Sequence, residues 1–262
     1  MEETVRYGLF DGIATLSLNR PKAFNALDFD LIHSLKERLM VISKDAEVKG
    51  VVITGEGKAF CSGGDLKWLS QNGKTRGEAF HTLAARFHQA ILEIRRMPKP
   101  VVAAINGLAA GGGFSLALAC DFRIIEESAA LVQGYTSNGL SIDGGGTFML
   151  PRLVGLARAM EIVIFDRPIS SQQALSWGLV TEVSEDGKSR EKAVDMVSDI
   201  MKRPLSSFAA SKRLLGESFQ TSLESEMEKE REYLAMCAEH PNGVEGMTAF
   251  LQKRKPRYNA QG

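Results

Sequence analysis

Lys58-Ala59-Phe60-Cys61-Ser62-Gly63-Gly64-Asp65 is the stretch on which the fold turns. A β-branched apolar run, Gly50-Val51-Val52-Ile53-Thr54, precedes it. The same succession recurs downstream. Val101-Val102-Ala103-Ala104-Ile105 leads to Ala109-Ala110-Gly111-Gly112-Gly113, and an apolar helical pattern continues from Phe114 to Ala119. Glycine lets backbone approach a ligand closely. The first turn of a helix leaves N–H groups without partners and suited to negative charge. Two such N–H groups, one from each loop, can hold one developing oxyanion.

Outward from these loops, strand and helix patterns alternate. Ile13 to Leu18 reads as a strand, and Asn25 as the cap of a helix with Leu27, Leu31, Leu35 and Leu39 on one face. A helix over about 76–96 stops at Met97-Pro98-Lys99-Pro100. A further strand covers Asp121 to Ile125. Such alternation predicts βαβ units with mostly parallel pairing. Beyond about Gly144 the pattern is helical: Gly155–Phe165, Ser170–Trp177 stopped by Gly178, Ser189–Lys202, Leu205–Phe219, Ser222–His240 and Val244–Lys253. The division expected is an α/β core over 1–190 and a helical region over 191–262.

The formal net charge of zero gives no reason to expect a nucleic-acid partner. No run approaches the roughly 20 apolar residues of a membrane span, and no N-terminal segment reads as a signal peptide. Cys61, Cys120 and Cys237 lack metal-ligand spacing, and so sparse and odd a count fits a reducing, cytoplasmic location.

An ordered series of segments resembles the crotonase (enoyl-CoA hydratase/isomerase) superfamily along the whole chain. It runs through Leu18-Asn19-Arg20-Pro21-Lys22-Ala23-Phe24-Asn25-Ala26-Leu27, Lys58 to Asp65, Lys99 to Gly107, Gly111-Gly112-Gly113 and Ala119-Cys120-Asp121. Pro151-Arg152-Leu153-Val154-Gly155 and Ala174 to Val180 complete it. The resemblance implies a spiral of ββα units with C-terminal helices that drive assembly into a trimer or a dimer of trimers. It implies an acyl-CoA thioester as substrate; with no metal-ligand or dinucleotide cluster in the sequence, no metal, flavin or nicotinamide cofactor is expected. The oxyanion donors it implies are the N–H groups of Ser62 and Gly112. Backbone from Ser62 through Gly63, Gly64 and Asp65 to Leu66 matches the adenine-binding turn. Lys22 and Lys67 match CoA-phosphate ligands, and Phe250 with Lys253 matches a pair that reaches a neighbouring subunit's CoA. Each lysine reads equally well as a solvated surface group. Cys61, beside the hole, reads as a small apolar packing residue.

The reaction turns on a few positions. Hydratases of this family handle water with two glutamates; the matching positions here carry Ser115 and Tyr135. Neither is a base near neutral pH. A carboxylate stands instead at Asp143, within Gly139-Leu140-Ser141-Ile142-Asp143-Gly144-Gly145-Gly146. It reads either as the N-cap of the helix that follows or, from the resemblance, as the working carboxylate of the phenylacetate-pathway ring-oxepin and enoyl-CoA isomerase branch. His88 lies where the aryl-CoA dehalogenase branch activates water, while His33 and His81 fit helix surfaces and His240 a helix end. Tyr135 falls at an aromatic position that both branches allow. The reading favoured is an acyl-CoA isomerase with Asp143 as proton shuttle. The alternatives are a dehalogenase or hydrolase using Asp143 and His88, and a non-catalytic CoA-binding oligomer. The acyl-pocket wall is expected from residues around 66–90.

Overall fold

Short apolar strands and amphipathic helices alternate through the first half of the chain, and in the computed structural model, which describes residues 3–259, they wind into a spiral of two sheets. The first two strands, β1 (Val5–Phe10) and β2 (Ile13–Leu18), form an antiparallel hairpin. Asp11 and Gly12 both take positive φ at its turn, the geometry that Asp-Gly favours. Each spiral turn then gives one strand to a large sheet and one to a small sheet. The pairs are β3 (Gly50–Gly55) with β4 (Ala59–Cys61), β5 (Val101–Ile105) with β6 (Leu108–Ala110), and β7 (Phe122–Glu126) with β8 (Ala130–Val132). With β9 (Ile169–Ser170) and β10 (Glu182–Ser184), the sheet orders are β1-β2-β3-β5-β7-β10 and β4-β6-β8-β9. Pairing is parallel except at β1–β2 and β8–β9.

Strands β3 and β5 are buried at every residue. Their unbroken apolar runs fit parallel strands covered on both faces. On one side lie α1 (Phe29–Lys44) and α3 (Arg76–Arg96), whose buried Leu31, Leu35, Leu39, Phe87, Ile91 and Ile94 enter the main core. On the other lies α7 (Ser189–Met201), packing Ala193 and Val197 against Val52, Val102 and Ile124. The boundary expected at residue 190 falls inside α7.

Helix α1 is capped by Asp28, whose side chain accepts from the Leu31 N–H at 2.9 Å, and not by Asn25 as the sequence suggested. Asn25 is buried at φ 56 and fastens the preceding loop: its amide donates to the Glu56 and Ala59 carbonyls at 3.0 and 2.8 Å. Short α2 (Leu66–Gln71) and α4 (Gly112–Ala119) follow the two glycine loops. The helix expected at Gly155–Phe165 is the second half of α5 (Gly146–Phe165), broken at Gly155, where φ is 74 and ψ is 160. The short α6 (Ser171–Ser176) precedes β10, and α8 (Leu205–Glu217), α9 (Leu223–Glu239) and α10 (Pro241–Leu251) close the chain. Buried Lys212 of α8 fixes these helices to the core, donating to Asp121 Oδ2 at 2.7 Å and to the Ile94 carbonyl at 2.9 Å.

Candidate active site

The site begins where β4 and β6 end. After Cys61 the chain runs beside the loop that precedes α1, in a parallel bridge between Leu27 and Gly64. The Leu27 N–H donates to the Gly63 carbonyl at 2.7 Å, and the Asp65 N–H donates to the Leu27 carbonyl at 2.9 Å. In that pattern the N–H of Gly64 points away from its partner strand. It has no acceptor among the described residues, and Gly64 is exposed on a cavity wall. The N–H of Ser62 is already committed, donating to the Phe24 carbonyl at 3.0 Å. The donor that this loop offers to a ligand is therefore Gly64, two residues after the position expected from the sequence.

The second loop supplies Gly112. Gly111 spends its N–H on the Val132 carbonyl at 3.1 Å and takes φ 52, and Gly112 then opens α4. As the first residue of a helix it has no intrahelical acceptor. The two loops touch. A Cβ on Gly63, where φ is 95, would lie 2.9 Å from the Ala110 carbonyl oxygen and 3.3 Å from the Gly112 nitrogen. Only glycine backbone brings the two donors to one place.

Asp143 faces the same cavity. The N-cap of α5 is Gly145, without a side-chain cap, so the Asp143 carboxylate does not cap that helix. Instead its Oδ1 pairs with Nε2 of His88 from α3. The Asp143 carbonyl accepts from Ser115 Oγ at 2.6 Å. Packing fixes the turn further: a Cβ on Gly144, where φ is 63, would meet the Phe87 ring at 2.4 Å. Ser115, fully buried, thus pins the segment that carries Asp143. Tyr135 lies beside both: burial first, then the Asp143 charge, drive its phenol pKa far up, against hydrogen bonding with Ser115. It stays a neutral O–H. Its loop is held by Gln133, whose Oε1 accepts from the Tyr135 N–H at 2.9 Å, and by Asp166, which accepts from Gly134 and Ser137.

The cavity measures about 470 Å³. Leu66, Leu69, Phe80 and Phe87 of the 66–90 region form one wall, as expected, and Leu140 and Ile142 form another that the sequence did not mark. His81, taken for a helix-surface residue, borders the cavity. Asp143 is the one carboxylate among the residues lining it. His88 is not a lining residue; it meets Asp143 from outside, with 49% of its side chain exposed.

The other expected site residues spread outward. Lys22 lies on the short Pro21–Ala23 turn and Lys67 on α2, both exposed near the Gly64 loop. Phe250, 83% exposed, and Lys253 stand at the end of α10, remote in sequence from this loop. Cys61 is buried, which pushes its thiol up to about 12 and suits a packing residue. Among the described residues, no three His, Cys, Asp or Glu side chains gather as metal ligands, and no helix is long and apolar enough to cross a membrane. Arg20 went unread in the sequence, although it reaches both loop segments beside Gly64.

Known proteins match the chain almost end to end. The family model described as enoyl-CoA hydratase/isomerase matches residues 9–261. The 1,2-epoxyphenylacetyl-CoA isomerase of Escherichia coli is 32% identical over 95% of this chain and 96% of its own length. The 4-chlorobenzoyl coenzyme A dehalogenase-2 of an Arthrobacter species is 30% identical over 93% of this chain and 88% of its own. Among solved structures, an enoyl-CoA hydratase from Polaromonas sp. JS666 superposes with a TM-score of 0.92 at 36% identity, covering 97% of this chain and 99% of that one.

Proposed function

Because the chain belongs to the enoyl-CoA hydratase/isomerase family, we propose that it moves a double bond within an acyl-CoA thioester, with Asp143 as the proton carrier. The observation that carries this reading is the standing of Asp143: the one carboxylate among the cavity-lining residues, free of any helix cap. The thioester oxygen accepts from the N–H groups of Gly64 and Gly112. Asp143 takes a proton from a carbon in conjugation with that carbonyl, and the electron pair moves onto oxygen. Each fixed donor lowers the barrier by about 3–4 kcal/mol, because it binds the charge as it develops. Asp143 then returns the proton to a different carbon. The carboxylate is regenerated and no electrons are exchanged, so the step requires no metal, flavin or nicotinamide. His88 holds one carboxylate oxygen and leaves the other to act as base.

Hydration in the two-glutamate manner is disfavoured by the same residues. The Ser115 hydroxyl is tied to the Asp143 carbonyl, and Tyr135 is held neutral by burial. The direct contact between His88 and Asp143 favours a second reading, in which Asp143 attacks a halogen-bearing ring carbon, the halide leaves as the aryl ester forms, and His88 activates the water that hydrolyses that ester and restores the carboxylate. The carboxylate's freedom from a capping role weighs against a purely CoA-binding protein. Lys22 and Lys67 suit the CoA phosphates, and Phe250 and Lys253 a neighbouring subunit's CoA in a trimer or dimer of trimers.

Turnover of 3-enoyl-CoA, ring-unsaturated and halo-aryl-CoA panels in D₂O and in H₂¹⁸O separates the readings. Isomerisation by a returned proton moves the double bond, leaves the substrate's own hydrogen on the shifted carbon except where Asp143 exchanges with D₂O first, and puts no ¹⁸O in the protein. Heavy oxygen on Asp143 after a single turnover establishes the ester route and removes the isomerase reading.

A further inference from the structure

We propose that Arg20 is a positioning residue for the oxyanion hole: its guanidinium clamps the two loop segments whose bridge leaves the Gly64 N–H free, and so aims that donor. The inference rests on the reading of Gly64 and Gly112 as the oxyanion donors.

Arg20 lies in the loop between β2 and α1. Its Nη2 reaches Asp28 Oδ2 at 3.0 Å and Asp65 Oδ2 at 2.9 Å, and its Nη1 donates to the Ala26 carbonyl at 2.5 Å. The second oxygen of each aspartate is also engaged. Asp28 Oδ1 accepts from the Leu31 N–H at 2.9 Å, capping α1, and Asp65 Oδ1 accepts from the Trp68 N–H at 3.0 Å, capping α2. One cation thus couples the starts of two helices. The Leu27–Gly64 bridge lies between them, Leu27 flanked by Ala26 and Asp28, Gly64 followed by Asp65. Arg20 is itself anchored, since its N–H donates to Asn25 Oδ1 at 2.9 Å.

Charge makes the clamp necessary. Two carboxylates, exposed by only 13% and 15%, share one guanidinium nitrogen and therefore lie close together. Like charges at such separation repel when the intervening cation is lost. That repulsion bears on the bridge itself and turns the Gly64 N–H. Burial alone would raise the Asp65 pKa, but the Trp68 N–H and then Arg20 outweigh it and hold the carboxyl below its usual range. A planar fork satisfies three acceptors at fixed angles; an ammonium does not. Arg20 does not line the cavity, so its effect reaches substrate only through the loop.

The test uses the full-length protein with Arg20→Lys, which keeps the charge and removes the fork. Three quantities are read: kcat and KM on the fastest substrate of the panel, the carbonyl stretch of bound [1-¹³C]butyryl-CoA by isotope-edited infrared spectroscopy, and the melting temperature. The expected result is a fall in kcat of about 10- to 100-fold, with KM changed less than about threefold, as for a donor displaced by a fraction of an ångström. The carbonyl stretch, lowered in the wild type, should move back toward its value in water. Should Arg20→Lys not fold, Asp28→Asn and Asp65→Asn read the same clamp, since each keeps an acceptor for its helix N–H; both should reduce kcat and the carbonyl shift. A folded variant with wild-type kcat and carbonyl stretch overturns the proposal, as does a loss confined to KM. A wild type that leaves the carbonyl stretch unshifted refutes the oxyanion reading itself, and the clamp's role with it.

Discussion

Gly113→Ala puts the contact between the two glycine loops under direct strain. Gly113 is the second residue of α4, and its φ is not positive, so alanine fits the backbone and improves helix propensity by about 1 kcal/mol. Sterics oppose that gain. The new Cβ would lie 2.1 Å from the Cys61 carbonyl oxygen and 2.7 Å from Cys61 Cβ. To reach even 3.0 Å, α4 and β4 must part by about 0.9 Å. Cys61 leads into the Gly64 loop and Gly113 follows Gly112, so the separation passes straight to the two donors. Overpacking of this kind costs about 1–3 kcal/mol, enough to lower Tm by several degrees at roughly 2–4 °C per kcal/mol. A donor misplaced by nearly 1 Å costs about 10²-fold in rate. The assay is kcat and KM beside a thermal melt, with Gly8→Ala as control, because a Cβ on Gly8 meets nothing within 4 Å. Full kcat in a folded Gly113→Ala protein would refute the placement of the oxyanion donors on these two loops.

Asp143→Asn keeps size and removes proton acceptance; kcat should fall about 10²–10⁴-fold with the fold intact by circular dichroism. His88→Gln should cost much less, because the proton moves within the substrate; equal loss in the two variants would transfer the assignment to the ester route. Crotonyl-CoA should be hydrated weakly or not at all, given Ser115 and Tyr135 at the two water-handling positions, and robust formation of the 3-hydroxy product by chromatography counts against this. Lys212→Met takes from the buried Asp121 carboxylate its nearer cation, leaving Arg95 at 3.9 Å and the Val101 N–H, and should destabilise by about 3 kcal/mol in denaturant titration, with Asp121→Asn added in the same chain restoring part of it. Exposed Leu156, Met160 and Ile164 recur every four residues along α5, and light scattering should find a trimer or its dimer that Ile164→Lys dissociates; a wild-type monomer at micromolar concentration removes the assembly.

The spiral was legible where apolar runs are long. Gly50–Gly55, Val101–Ile105 and the helix Arg76–Arg96 stand within a residue or so of their expected limits, because continuous burial or a Pro-Lys-Pro stop marks them. The small sheet was not legible. Strands β4, β6 and β8 have three residues each, too few for any period to register, and they exist because the spiral brings them side by side. β1 carries a signal that the expected strands leave out, Val5, Tyr7 and Leu9 alternating with Arg6 and Gly8 ahead of the Asp11-Gly12 turn, although only Val5 of the strand is buried.

The site divides along the same physical line. Side-chain chemistry is written in residue type, so Asp143, His88 and Tyr135 could be named from the chain, and they meet in space. A backbone donor is written in no residue type, since every residue except proline carries an N–H. Which one remains for a ligand follows from accounting for all the others. Ser62 gives its N–H to Phe24, Asp65 gives its own to Leu27, Gly111 gives its own to Val132 and Gly63 sets its own against the Cys61 sulfur. Of the residues lining the cavity on these two loops, Gly64 and Gly112 are left with an N–H for a ligand. That remainder depends on the Leu27–Gly64 bridge, a pairing between segments far apart in sequence. The same bridge explains why Arg20, quoted only within a motif, and Asp28, which no sequence signal singled out, bear on the chemistry: they hold the register that leaves the Gly64 N–H facing the cavity.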